Sequence, residues 1–106
     1  MTDTALTDRE IRLKQLRFRA WRRGFREHDF IMGGFADRHL AALDDAGLDA
    51  FQGLLDQADW DVYAWILGQR QAPPEHQGPV LDLLRSFHHF AHTLFSDRPG
   101  GGMAGG

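Results

Sequence analysis

Eight consecutive residues, Arg22-Arg23-Gly24-Phe25-Arg26-Glu27-His28-Asp29, set three guanidinium groups, two carboxylates, an imidazole and a phenyl ring around one glycine. Guanidinium forks pair with carboxylates, and a phenylalanine supplies an apolar anchor, so the segment suits recognition of a partner's surface. Arg23 and Glu27 are also four apart, and a local ion pair of about 0.3–0.5 kcal/mol accounts for them equally well. The residue types leave both readings open. A second group, His88, His89 and His92, places two imidazoles at the i, i+4 spacing that can share a metal. No glutamate of the His-Glu-x-x-His type lies between them and no further ligand recurs at a fixed spacing, so surface histidines on an amphipathic helix are the expectation, with no metal site. Asp44, Asp45, Asp56, Asp59 and Asp61 fall near predicted helix starts, where capping of free N–H groups explains them. No nucleophile elbow, phosphate loop or dinucleotide fingerprint follows a strand. The chemistry on offer is binding, and the chain is not expected to be an enzyme.

The elements that must position these residues are all helical. β-branched residues are sparse and period-2 alternation is absent, whereas apolar residues recur at steps of three and four. Thr7 and Glu10 form a capping box that opens a helix over about 8–22, with Leu13, Leu16, Ala20 and Gly24 on one face. Gly24 is read as its stop, on the ground that glycine tolerates the positive φ of a helix end. A second helix is predicted from Glu27 to Asp37, loosened by Gly33-Gly34. A third starts at Asp44 or Asp45 and buries Leu48, Phe51, Leu54 and Leu55. A fourth runs from an Asp59 cap to a Gly68 stop, with Trp65 anchoring the packing and Trp60 partly exposed. Pro79 opens the fifth, whose stripe includes Val80, Leu83, Leu84, Phe87 and Phe90. Trp65, Phe35, Leu84 and Phe87 are the expected structural core. The predicted architecture is a compact, all-α five-helix bundle over 9–95, with a flexible tail at 1–8 and a disordered Gly-rich tail at 96–106.

Composition limits what such a bundle can be. The 106 residues suit one domain, and 42% hydrophobic content is enough for a core. With no cysteine, disulfide frameworks and Cys-ligated zinc or iron–sulfur sites are excluded. No apolar run reaches the length of a membrane span, and membrane insertion is not expected. The opening MTDTALTDRE has neither the apolar stretch of a secretory signal nor the basicity of a mitochondrial presequence. The expected location is therefore cytoplasmic, in a bacterial cell. The formal net charge of −3 hides an asymmetry, because residues 9–26 hold eight basic side chains and one acidic one. That basic segment either seeks an anionic partner or lies against an acidic neighbour within the fold. A small nucleic-acid-binding module is the alternative function it allows, although the basic positions spread around the helix and match no reading motif.

The sequence resembles the succinate dehydrogenase flavinylation and assembly factors, the SdhE-like proteins. The resemblance rests on the Arg-Gly-x-x-Glu signature, here Arg23-Gly24-Phe25-Arg26-Glu27, followed by Asp29. It continues in Phe35 and in the Asp-x-Asp-hydrophobic-x-x-Trp stretch of Asp59-Trp60-Asp61-Val62-Tyr63-Ala64-Trp65, and it covers roughly residues 9–90. The chain departs from the family at His28, where relatives often carry an apolar residue, at Met32, and at Gly33-Gly34.

The resemblance implies an assembly factor that binds the flavoprotein subunit of succinate dehydrogenase, and the related fumarate reductase subunit, and promotes covalent attachment of FAD to the client. No cofactor is expected to stay bound to the factor itself, since the bond-forming chemistry belongs to flavin and client. It further implies that Arg23, Gly24 and Glu27 face the client, with Phe25, Arg26 and Asp29 beside them. A monomer or weak dimer is expected, and no nucleic-acid partner.

Overall fold

A computed structural model describes the backbone of residues 6–96 and the side chains as far as Ala91. The two tails expected at 1–8 and 96–106 therefore lie largely outside the described residues. Helix α1 spans Asp8–Ala20, α2 Arg26–His39, α3 Asp45–Leu55, α4 Asp59–Leu67 and α5 Pro79–Ser96, with short 3₁₀ turns at Leu40–Ala42 and Pro74–His76. No strand occurs among the described residues.

Local chemistry sets three of the helix ends. The Thr7 hydroxyl accepts from the Glu10 N–H at 3.0 Å while the Thr7 N–H donates to the Glu10 carboxylate at 2.9 Å, completing the capping box of α1. Asp44 caps α3 by accepting from the Gly47 N–H at 2.8 Å. Gly68 ends α4 in the left-handed region at φ 77°. Two ends differ from expectation. Helix α1 stops at Ala20 with Trp21 as its C-cap, and Gly24 has no positive φ. Helix α4 is capped by Ala58, so Asp59 is its first residue and its carboxylate is free for another use.

The core gathers on α2. Phe35 and Phe51 stack at 5.7 Å, surrounded by buried Met32, Leu48, Val62, Leu81 and Leu84. Trp65 is buried and stacks on His76 at 5.5 Å. Phe87, expected in the core, is only half-buried and packs on its margin, edge-on to Phe35 at 6.0 Å. The glycine pair of α2, expected to loosen the helix, instead permits close packing. A Cβ on Gly33 would stand 2.1 Å from the Trp21 indole, and one on Gly34 would stand 3.1 Å from the Phe87 ring. Here two neighbouring aromatics occupy the space a side chain would take.

The basic segment meets its counter-charges inside the fold. Arg9 reaches Asp45 at 3.4 Å, Arg12 reaches Asp49 at 2.6 Å, Arg19 reaches Asp56 at 2.7 Å and Arg23 reaches Asp59 at 3.4 Å. The partners advance together, so α1 and α3 lie side by side and parallel, with the ladder of ion pairs along their seam. Arg17 pairs with Asp37 of α2 at 3.7 Å. Among the described residues only Lys14, Arg22 and Arg26 of the eight basic side chains lack a carboxylate partner, and Arg22 lies 3.6 Å over the Phe18 ring.

Candidate functional site

The chain between α1 and α2, residues 21–25, turns a corner that is tied from three sides. The Arg23 N–H donates to the Asp29 carboxylate, which fastens the corner to the first turn of α2. The Arg23 guanidinium turns inward, only 13% exposed, donating to the Leu55 carbonyl at 2.9 Å and lying 3.4 Å from Asp59. Asp59 stands behind the corner at the start of α4, with Oδ2 2.9 Å from where a Cβ of Gly24 would be. Glycine is needed here for the missing side chain, and what comes close is a carboxylate.

Beneath the corner lies His28, 1% exposed, with Nε2 3.8 Å from Asp59 and Nδ1 without a hydrogen-bond partner. Burial pushes its pKa down to about 4; nearby Asp59 opposes the shift and Arg23 adds to it. The imidazole is therefore neutral at pH 7. It stacks on Phe25 at 5.5 Å, and Phe25 in turn stacks on Trp60 at 3.8 Å and 11°. Tyr63 closes the cluster edge-on to Phe25 at 4.9 Å. Trp60 itself is 66% exposed, so the corner ends in a flat aromatic shelf at the surface.

The six residues predicted for the site separate into two groups. Gly24, Arg26 and Glu27 are exposed and Phe25 is half-buried against Trp60. Arg23 and Asp29 hold the corner from within, so Arg23 presents little of its side chain to a partner. The local Arg23–Glu27 ion pair does not form, because Arg23 precedes α2 and the helical i, i+4 geometry does not apply to it. Glu27 makes no ion pair among the described residues. Three residues of the site were not assigned to it from sequence. Asp59 reads as a cap, His28 as a departure from its relatives, and Trp60 as a margin of the core. Asp59 opens the Asp-x-Asp-hydrophobic-x-x-Trp stretch, but its contact with Arg23 is signalled only by their spacing of 36, which matches Arg9 with Asp45 and becomes meaningful once α1 and α3 are parallel. Among the described residues no three His, Asp or Glu side chains converge on a metal position, and His92 lies beyond the described side chains.

Arg23, Asp59 and neutral His28 thus brace an exposed glycine, and at its edge Arg26 and Glu27 make no ion pair among the described residues. The family model described as flavinator of succinate dehydrogenase matches residues 14–88. The chain belongs to this family.

Among its relatives, "succinate dehydrogenase assembly factor 2, mitochondrial" of Meyerozyma guilliermondii is 40% identical over 66 residues, which are 62% of this chain and 49% of the relative. The protein of the same name from Schizosaccharomyces japonicus is 40% identical over 62 residues, 58% of this chain and 43% of the relative. That of Danio rerio is 29% identical over 80 residues, 74% of this chain and 51% of the relative. The flavinator-family chain thus spans about half the length, or less, of the curated relatives it matches. Their names also correct one expectation. A bacterial cytoplasmic location is overturned, since these fungal and fish relatives are all named mitochondrial.

Proposed function

We propose that this flavinator-family chain binds the flavoprotein subunit of succinate dehydrogenase, and by extension that of fumarate reductase, and promotes covalent attachment of FAD to the client. The client-facing surface is the corner at Gly24, with Glu27, Arg26 and the Phe25–Trp60 shelf beside it, while Arg23 and Asp29 hold its shape. The observation that carries this reading is Gly24: exposed, yet with Asp59 2.9 Å behind the position of a Cβ. A corner so placed is flat and already ordered before binding, which lowers the entropic cost of docking. The factor contributes no bond-forming group. It holds the client in an arrangement competent for flavinylation, and this shifts the client's population only by as much as that state is bound more tightly than others. The internal pairing of five basic residues weighs against the nucleic-acid alternative, which needs them free for phosphate.

The test is to express the flavoprotein subunit with and without this chain, denature both samples and compare in-gel flavin fluorescence. Covalent flavin survives denaturation and free FAD does not. More fluorescence with the chain is expected; equal lanes would remove the proposal. Gly24→Arg and Glu27→Lys should each abolish the stimulation while circular dichroism stays helical. Full stimulation by both variants would sink the role given to the corner.

A further inference from the structure

One face of the molecule remains without a role. A groove of about 530 Å³ lies between α2 and α5, with Phe30, Ile31 and Gly34 on one side, Phe87 and Phe90 on the other, and Tyr63 of α4 contributing. Phe30 is 58% and Phe90 56% exposed, and the depression continues past Arg38 to half-exposed Leu83. Large apolar side chains concentrated on one face mark an interaction surface.

The charges on this face are arranged in a particular way. Glu27, Phe30, Gly34 and Arg38 follow at steps of three, four and four, so they form one stripe along α2. The acid is in the first turn and the base in the last, about 16 Å apart at 1.5 Å per residue. Neither has an ion-pair partner among the described residues. A stripe with an acid at one end, a base at the other, and a phenylalanine and a glycine between them is complementary to itself when turned end for end.

We propose that the groove seats a second copy of this chain. The two α2 helices run antiparallel about a two-fold axis, with Glu27 of each opposite Arg38 of the other and the exposed Phe30 of each lying in the groove of the other. The area is small, which places the dimer among weak interfaces with a dissociation constant of roughly 10–100 μM. Because Glu27 belongs to both surfaces, self-association and client binding exclude one another. This last point rests on the client reading above; the dimer itself does not.

Sedimentation velocity of the full chain across about 5–500 μM tests the interface without any client. A monomer–dimer equilibrium is expected for the wild type. Arg38→Glu should weaken it about tenfold or more, and so should Glu27→Arg and Phe90→Asp. The double variant Glu27→Arg/Arg38→Glu should restore it, because the complementarity is regained with its signs exchanged. A wild type that stays monomeric throughout would overturn the proposal, as would a dimer indifferent to either charge reversal or a double variant that fails to recover. Exclusion is tested by adding the flavoprotein subunit to wild-type dimer. One copy per client supports it, and a stable complex of two copies with one client refutes it. Arg38→Glu lies outside the corner and should still stimulate flavinylation while monomeric. Failure of the wild type in the flavinylation assay, with the sedimentation results intact, would remove the client reading and leave the dimer standing.

Discussion

Replacing Gly24 by alanine isolates the contact that shapes the corner. The new Cβ would lie 2.9 Å from Asp59 Oδ2, about half an ångström inside ordinary contact. The carboxylate must rotate, and in doing so it draws Oδ1 away from Arg23, whose Nε already lacks a hydrogen-bond partner. Overpacking and a weakened, mostly buried pair together should cost about 1–2 kcal/mol. Gly24 has no positive φ, so alanine incurs no left-handed strain there. Taken alone, the loss of backbone freedom in the unfolded chain should stabilise by about 0.4–1 kcal/mol. The sign of Gly24→Ala therefore depends on Asp59. In the wild-type background urea denaturation should show a net loss of about 0.5–1 kcal/mol, or several degrees in Tm. In an Asp59→Ala background the same change should be neutral or stabilising. A double-mutant cycle should therefore return a coupling of about 1 kcal/mol between residues 24 and 59. If Gly24→Ala costs the same in both backgrounds, Asp59 is not what excludes a side chain, and the physical account of the corner is wrong.

Two further perturbations test the interior. His28 is neutral when folded, with its pKa at about 4 against 6.5 unfolded, so its contribution is complete above pH 6.5 and is lost as the pH falls toward 4. Denaturation at pH 7, 5.5 and 4 should show about 3 kcal/mol lost to this residue over that window, and His28→Leu should flatten that part of the profile; an unchanged slope would assign the acid sensitivity elsewhere. Gly33→Ala gains about 1 kcal/mol in helix propensity, yet its Cβ would meet the Trp21 indole at 2.1 Å. A net loss above about 2 kcal/mol and a shifted tryptophan emission are expected, and a stabilised variant would show that α1 and α2 can move apart.

Helix content and four of the helix ends were legible in the sequence because they are set locally. The Thr7–Glu10 box, the Asp44 cap, the Gly68 stop and Pro79 each act within one turn, and the apolar spacing marks the buried faces. The family signature was legible for the same reason, being a run of five residues. What could not be read is the use made of each charge. Arg23 stands four residues before Glu27 and 36 before Asp59, and only the folded chain decides between them.

The sequence by itself determined five amphipathic helices, a glycine corner with its signature and a strongly basic first helix. Tertiary structure decided what these mean. Laying α1 parallel to α3 turned a basic head into a ladder of internal ion pairs, since charges widely separated in sequence pair only when helix register aligns them. It also made Gly24 a site of close approach instead of a helix stop, and gave Gly33 and Gly34 to Trp21 and Phe87. Spacing along a chain specifies a helix because its hydrogen bonds are local; a surface is assembled from residues that spacing leaves far apart.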